Sequence, residues 1–258
     1  MATIIFTNIT AYTLVFTRLA GVLAFNPVLN GRSVPARFRV FVVFMLTLVM
    51  APTLSYGTTL DLGSLEYFMA LIRELFVGIL MSFVCSAFYY CMLAAGEILD
   101  VQFGFGMAKV FDPSMNIQMG ISDKLLNVFF MLYFFVTDSH LIMFNMLFAS
   151  YDLVPLGIGD GFNLARIASF GIEVFVDTFM LAINLTVPFI VAEFVVEVGL
   201  GVLMKLIPAI HIFVINMQIK IGVAIILLFI LAPAICNFLN NYVVRMLETM
   251  QKSVEMFM

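Results

Sequence analysis

Glu193 and Glu197 stand four residues apart, a spacing that puts two carboxylates on one face of a helix. A carboxylate pair can do general acid–base work, but only beside a substrate site, and no such site is marked near them. His140 and His211 are too few and too isolated in the chain to make a metal centre. Asp112-Pro113-Ser114 reads as a turn. There is no Walker A pattern, and Gly104-Phe105-Gly106 is not the GxGxxG of a dinucleotide site. The sequence therefore points away from an enzyme and calls for no cofactor or metal. What remains are charges set in oily sequence: Arg18, the neighbours Arg73 and Glu74, and a mixed segment from Gly96 to Lys124. Such charges have to face protein or water rather than lipid. Arg73 and Glu74 are adjacent, so they point to different faces and need different partners.

The elements that position these charges must be membrane helices. The chain has 258 residues, of which 64% are hydrophobic and 11% charged. A soluble domain is nearer to half apolar and a quarter charged, so this composition defines a polytopic membrane protein. The formal net charge is only -4 and no basic run exists to follow a phosphate backbone, which excludes nucleic acid as a partner. Cys85, Cys91 and Cys236 all fall in apolar runs and read as small buried hydrophobes. Met1 to Thr10 lacks a positive leader, so no cleavable signal peptide is expected.

Six apolar runs are expected as long helices, making an all-α membrane protein. They cover roughly 9–29, 40–56, 65–95, 125–150, 171–206 and 211–247. Asp138 and His140 interrupt the fourth, with His140 read as a helix-end residue. A loop is expected over 151–170, dividing the chain into a four-helix part (1–150) and a C-terminal helical hairpin (151–258). Each arm of the hairpin would span about 54 Å, far more than the ~30 Å of a hydrocarbon core. Pro188 and Pro233 are candidate kinks, one in each arm.

The segment 96–124 fits neither a span nor an ordinary loop. Gly96, Gly104, Gly106 and Pro113 break it; Phe103, Phe105, Met107, Val110 and Phe111 keep it apolar; Glu97, Asp100, Lys109 and Asp112 charge it. At membrane depth, broken backbone survives only inside protein or against a wet cavity. It is expected to be a re-entrant element between the third and fourth helices. Basic residues are concentrated in one set of turns (Arg32, Arg37, Arg39, Lys109, Lys124, Lys205, Lys220) over the other (Arg166, Arg245, Lys252). That bias puts the turn between the last two runs in the cytoplasm and both termini outside it.

Three stretches carry a resemblance to a known family. They are Arg18, Gly21 and Pro27 with SVPARFR; GEILDVQFGFGMAKVFDP at 96–113; and EVGLGVLMKLIPAIHIFVI at 197–215. The sequence resembles the export-gate R subunits of type III secretion, the FliR/SctT family. Asn216-Met217-Gln218 departs from the glycine-proline pair expected there. The resemblance implies a subunit of the flagellar export gate in the bacterial inner membrane and basal body, with part of the assembly on the periplasmic side. Its partners would be several copies of FliP and FliQ, then FlhB and FlhA, and unfolded export substrates. Its first four helices would be P-subunit-like and its hairpin Q-subunit-like.

On that reading, Gln102, Phe103, Gly104, Phe105, Gly106, Met107, Lys109, Val110, Phe111, Asp112 and Pro113 would form a pore plug. Glu97 and Asp100 would anchor its stem, and Arg18, Arg73 and Glu74 would be intramembrane charges. Glu193, Glu197, Lys205 and His211 would mark a cytoplasmic turn open to partner subunits. Rival readings are an injectisome gate subunit, an assembly subunit that never touches substrate, and a self-contained secondary transporter using Arg18, Arg73, Glu74 and Glu193 as coupling charges. The last would need an internal inverted repeat, and none is apparent.

Overall fold

The computed structural model describes residues 2–27, 35–54, 63–106, 120–157, 163–206 and 212–257. Their regular structure is all helical, with no strand among them. The helices are α1 (Ala2–Ala24), α2 (Ala36–Met50), α3 (Ser64–Phe103), α4 (Ile121–Val136), α5 (Ser139–Leu153), α6 (Leu164–Leu206), α7 (Ile212–Ile230) and α8 (Ala232–Glu255). Three stretches of helix are long and apolar enough to cross a membrane, or up to five if each helix pair broken by a short turn counts as one span.

The described helices exceed the six expected because two apolar runs are interrupted. Asp138 lies between α4 and α5 with φ 55°, a left-handed conformation that stops a right-handed helix. Leu231 separates α7 from α8, two residues before Pro233. Pro188, by contrast, lies inside an uninterrupted α6. The loop expected over 151–170 is shorter: α5 runs to Leu153 and α6 begins at Leu164. The start of α6 has a local cause, since the Asn163 carboxamide oxygen accepts the backbone N–H of Arg166 at 3.1 Å. Cys236 is exposed, whereas Cys85 and Cys91 are buried as expected.

The helices sort into two compact units, each assembled from separate stretches of chain. The first holds residues 1–89, 138–175 and 244–258. Within it α1 and α3 run parallel. Thr13 meets Tyr67 (Oγ1···Oη 2.7 Å), Arg18 meets Glu74, and the Ser86 hydroxyl donates to the Phe25 carbonyl at 2.9 Å. Two glycines allow the close crossing. A β-carbon on Gly21 would stand 3.0 Å from the Leu75 carbonyl oxygen, and one on Gly78 would overlap the carbonyl oxygen of Arg18. The second unit holds 90–137 and 176–243. There α3 and α6 run parallel, with the Cys91 thiol 3.4 Å from the Thr178 hydroxyl and the rings of Phe103 and Phe189 edge to face at 5.8 Å.

Large apolar side chains remain uncovered on several helices, among them Phe38, Phe41 and Phe44 on α2 and Phe194, Val195 and Val198 on α6. Surfaces of this kind belong against lipid or another protein.

Candidate functional site

In the first unit Arg18 of α1 is fully enclosed. Arg18 is 0% exposed, and its Nε donates to Oε2 of Glu74, also 0% exposed, at 2.5 Å. Its Nη1 donates to the Ser150 carbonyl at 2.8 Å and to the Ser150 hydroxyl at 3.2 Å, and its Nη2 donates to the Val154 carbonyl at 2.8 Å. The ring of Tyr151 lies 4.1 Å from the guanidinium carbon, and the Tyr151 hydroxyl donates to the Val15 carbonyl at 3.3 Å. Those carbonyls belong to the C-terminal end of α5, where the last peptide groups of a helix lack partners and carry negative potential. One guanidinium thus neutralises a buried carboxylate and caps a helix. Arg73 adds positive potential at Glu74. The sequence marked Arg18 and Glu74 separately; it gave no sign of Ser150, Tyr151 or Val154.

In the second unit the stretch after Ala95 corrects one expectation. α3 does not break at Gly96 but continues to Phe103, so Gly96, Glu97, Asp100, Gln102 and Phe103 are helical. Gly96 is a contact residue there: a β-carbon on it would lie 2.5 Å from the α-carbon of Asp123 on α4. The helix ends at Gly104, whose φ of 77° is the left-handed turn that glycine supplies at no steric cost.

Asp100 joins the two helices. It is 4% exposed, and its Oδ1 accepts the backbone N–H of Ser122 at 2.8 Å. Ser122 is the second residue of α4, and Gly120, at the cap position, has no side chain to satisfy that donor. Asp100 therefore caps α4 from another helix. Its Oδ2 fills the space a side chain on Gly120 would take. These contacts form a neck that brings the end of α3 to the start of α4. Beside it, Phe103 is fully buried and packs edge to face against Phe105 as well as Phe189, with centroids 5.8 Å apart in each case. Gly106 has open space where a side chain would project.

Glu97 is exposed and makes no ion pair among the described residues. Met107, Lys109, Val110, Phe111, Asp112 and Pro113 lie outside the described residues, as does His211. Gly120, Ser122 and Asp123 were not singled out by the sequence. A glycine directly before a helix that opens Ile-Ser-Asp was the available signal.

On α6, Glu197 is ion-paired with Lys220 of α7. Glu193 is 0% exposed, and neither of its carboxylate oxygens accepts a hydrogen bond among the described residues. Lys205 is exposed in the last turn of α6, where a cation suits the helix end. His140 is the second residue of α5, at a helix end as expected. Among the described residues no group of three or more His, Cys, Asp or Glu is placed to hold a metal ion.

Long apolar helices with charges enclosed at their crossings define an integral membrane protein of the helical class. The chain belongs to the bacterial export proteins, family 1, whose model matches residues 9–246. This is the FliR/SctT family. Flagellar biosynthetic protein FliR of Bacillus subtilis (strain 168) is 24% identical over 242 residues, covering 93% of each chain. FliR of Escherichia coli (strain K12) is 26% identical over 227 residues, 87% of this chain and 85% of its own. Surface presentation of antigens protein SpaR of Shigella flexneri is 27% identical over 224 residues, 86% of this chain and 84% of its own.

Proposed function

We propose that the chain is the R subunit of the flagellar type III export gate, a non-enzymatic component of the channel that carries unfolded proteins across the bacterial inner membrane. The family match over residues 9–246 carries this reading. In it, the N-terminal 1–150 is P-subunit-like, 151–258 is the Q-subunit-like hairpin, and FliP, FliQ, FlhB and FlhA are the partners. The uncovered apolar faces of α2 and α6 support a place among other helices.

The plug runs from Gln102 to Pro113. Its apolar residues keep a constriction dry, as hydrophobic gates do. The neck supports this role because it fixes the root of the segment while Gly104 gives the backbone its first turn. The test is to delete the plug tip and measure ion leakage through the assembled complex. The deletion should leak while the complex still forms; a tight deletion variant argues against the plug. Crosslinking a stalled export substrate to residues 102–113 separates a pore-lining role from a purely architectural one.

A second reading is an injectisome gate subunit. SpaR, at 27% identity, falls within the 21–28% spanned by FliR relatives. Motility and flagellin export in a deletion strain decide between them.

A further inference from the structure

We propose that the groove between α1 and α2 is a seat for an anionic phospholipid, with an acyl chain lying between the helices and the headgroup phosphate on Arg39. The inference needs only the chain's place in a membrane.

The groove has a volume of about 200 Å³ and is lined by Phe16, Ala20 and Leu23 of α1 and by Ala36, Arg39, Val40 and Val43 of α2. On each helix these positions recur at steps of three and four residues, so each helix contributes one stripe. The lining is apolar except at one end, where Arg39 stands in the first turn of α2. The stretch Ala36–Thr53 is long and apolar enough to cross a membrane. Arg39 therefore lies near the edge of a span, close to headgroup depth, and Val43 lies deeper. A cation at the mouth of an oily slot matches a phospholipid, charged head and apolar tail in that order.

Charge fixes the sign of the head. No Asp or Glu occurs before Asp61, while Arg37 and Arg39 both fall in the opening turn of α2. Arg37 is exposed and joins no ion pair among the described residues. Pro35, at the cap position, brings no side-chain acceptor to the first N–H groups of the helix, an end that carries positive potential. Basic pockets between membrane helices hold anionic headgroups. A protein helix is a poorer occupant: with its side chains it is about 10–12 Å across, too broad to enter a slot of this volume.

The chain contains no tryptophan, so Phe44→Trp gives a single reporter, one turn beyond Val40 at a half-exposed position. The full chain is placed in phosphatidylcholine vesicles with phosphatidylglycerol as the minor lipid. Bromine, which quenches tryptophan, is carried either by the phosphatidylglycerol or by an equal share of the phosphatidylcholine. Quenching by the brominated phosphatidylglycerol should be several-fold the greater, and Arg37→Gln together with Arg39→Gln should abolish the excess. Ala20→Leu fills the groove without changing charge and should abolish it too. An excess that survives Ala20→Leu belongs to lipid around the whole protein and overturns the proposal, as does one that survives loss of both arginines. Equal quenching by the two lipids overturns it as well, and so does a tryptophan shielded from both by another copy of the chain. If Ala20→Leu does not fold, the single arginine variants decide. Arg39 lines the groove and Arg37 does not, so Arg39→Gln should remove more of the excess, and equal losses overturn the proposal.

Discussion

The carboxylate of Asp100 occupies the place where a side chain on Gly120 would stand. The same group accepts the N–H of Ser122, so one residue of α3 both caps α4 and forbids any larger residue at its cap position. Gly120→Ala should destabilise the chain by about 1–3 kcal/mol through overpacking, and Asp100→Ala by about 1 kcal/mol through loss of the cap. The double variant should cost less than the two single losses together, because removing the carboxylate makes room for the new methyl. Thermal denaturation of the purified protein in detergent checks this. Simple additivity would mean that the two residues do not share this space.

The neck shows which parts of the structure were legible beforehand. Gly96 looked like a helix breaker, since glycine is a weak helix former. It serves instead as a contact surface for Asp123, and a contact between residues 27 apart in the chain leaves no mark in local pattern. Gly104 was read as a break in the segment and does end α3, because a left-handed residue is a local property. Asp138 and Pro233 marked the two interrupted runs for the same reason. Arg18 and Glu74 were recognisable as charges that must be satisfied. Their pairing was not, because it depends on the parallel crossing that Gly21 and Gly78 permit. Cys236 was misjudged: its flanks are apolar, but its position on α8 faces outward.

Gly104 and Gly106 should respond differently to the same substitution. A non-glycine residue at φ 77° costs about 1–2 kcal/mol, whereas a β-carbon on Gly106 meets open space. Gly104→Ala should therefore lower protein export and raise ion leakage under the proposed plug role, with Gly104→Asn milder and Gly106→Ala close to wild type. Export of a flagellar substrate and conductance of the complex are the measurements. Equal effects at both positions would show that the turn at Gly104 is not what matters.

Gly78 should tolerate substitution less than Gly21. A methyl on Gly78 runs into the backbone carbonyl of Arg18, which cannot move without shifting α1, while a methyl on Gly21 comes no closer than 3.0 Å to any neighbouring atom. Gly78→Ala should lower the melting temperature markedly and Gly21→Ala by a smaller step. A Gly78→Ala protein with native stability would mean that the crossing has slack.

Arg18 supplies the strongest prediction about stability, because its guanidinium serves three groups at once. Arg18→Ala leaves Glu74 buried and unpaired, a loss of about 3–5 kcal/mol. Arg18→Lys should recover little of it. A single ammonium can meet Glu74 or the α5 carbonyls, but it lacks the planar fork that reaches Glu74, Ser150 and Val154 together. Glu74→Leu in the Arg18→Leu background should restore part of the loss, since the stranded carboxylate is gone. Restoration stays incomplete because the carbonyls of Ser150 and Val154 still lack a donor. Denaturation of wild type, Arg18→Leu, Glu74→Leu and the double variant in detergent yields the coupling, expected at roughly 2 kcal/mol. A coupling near zero would show that the α5 cap, rather than the ion pair, accounts for the stability Arg18 provides at this crossing. Tyr151→Phe keeps the ring over the guanidinium and removes only the 3.3 Å bond to Val15, so it should fall within about 1 kcal/mol of wild type.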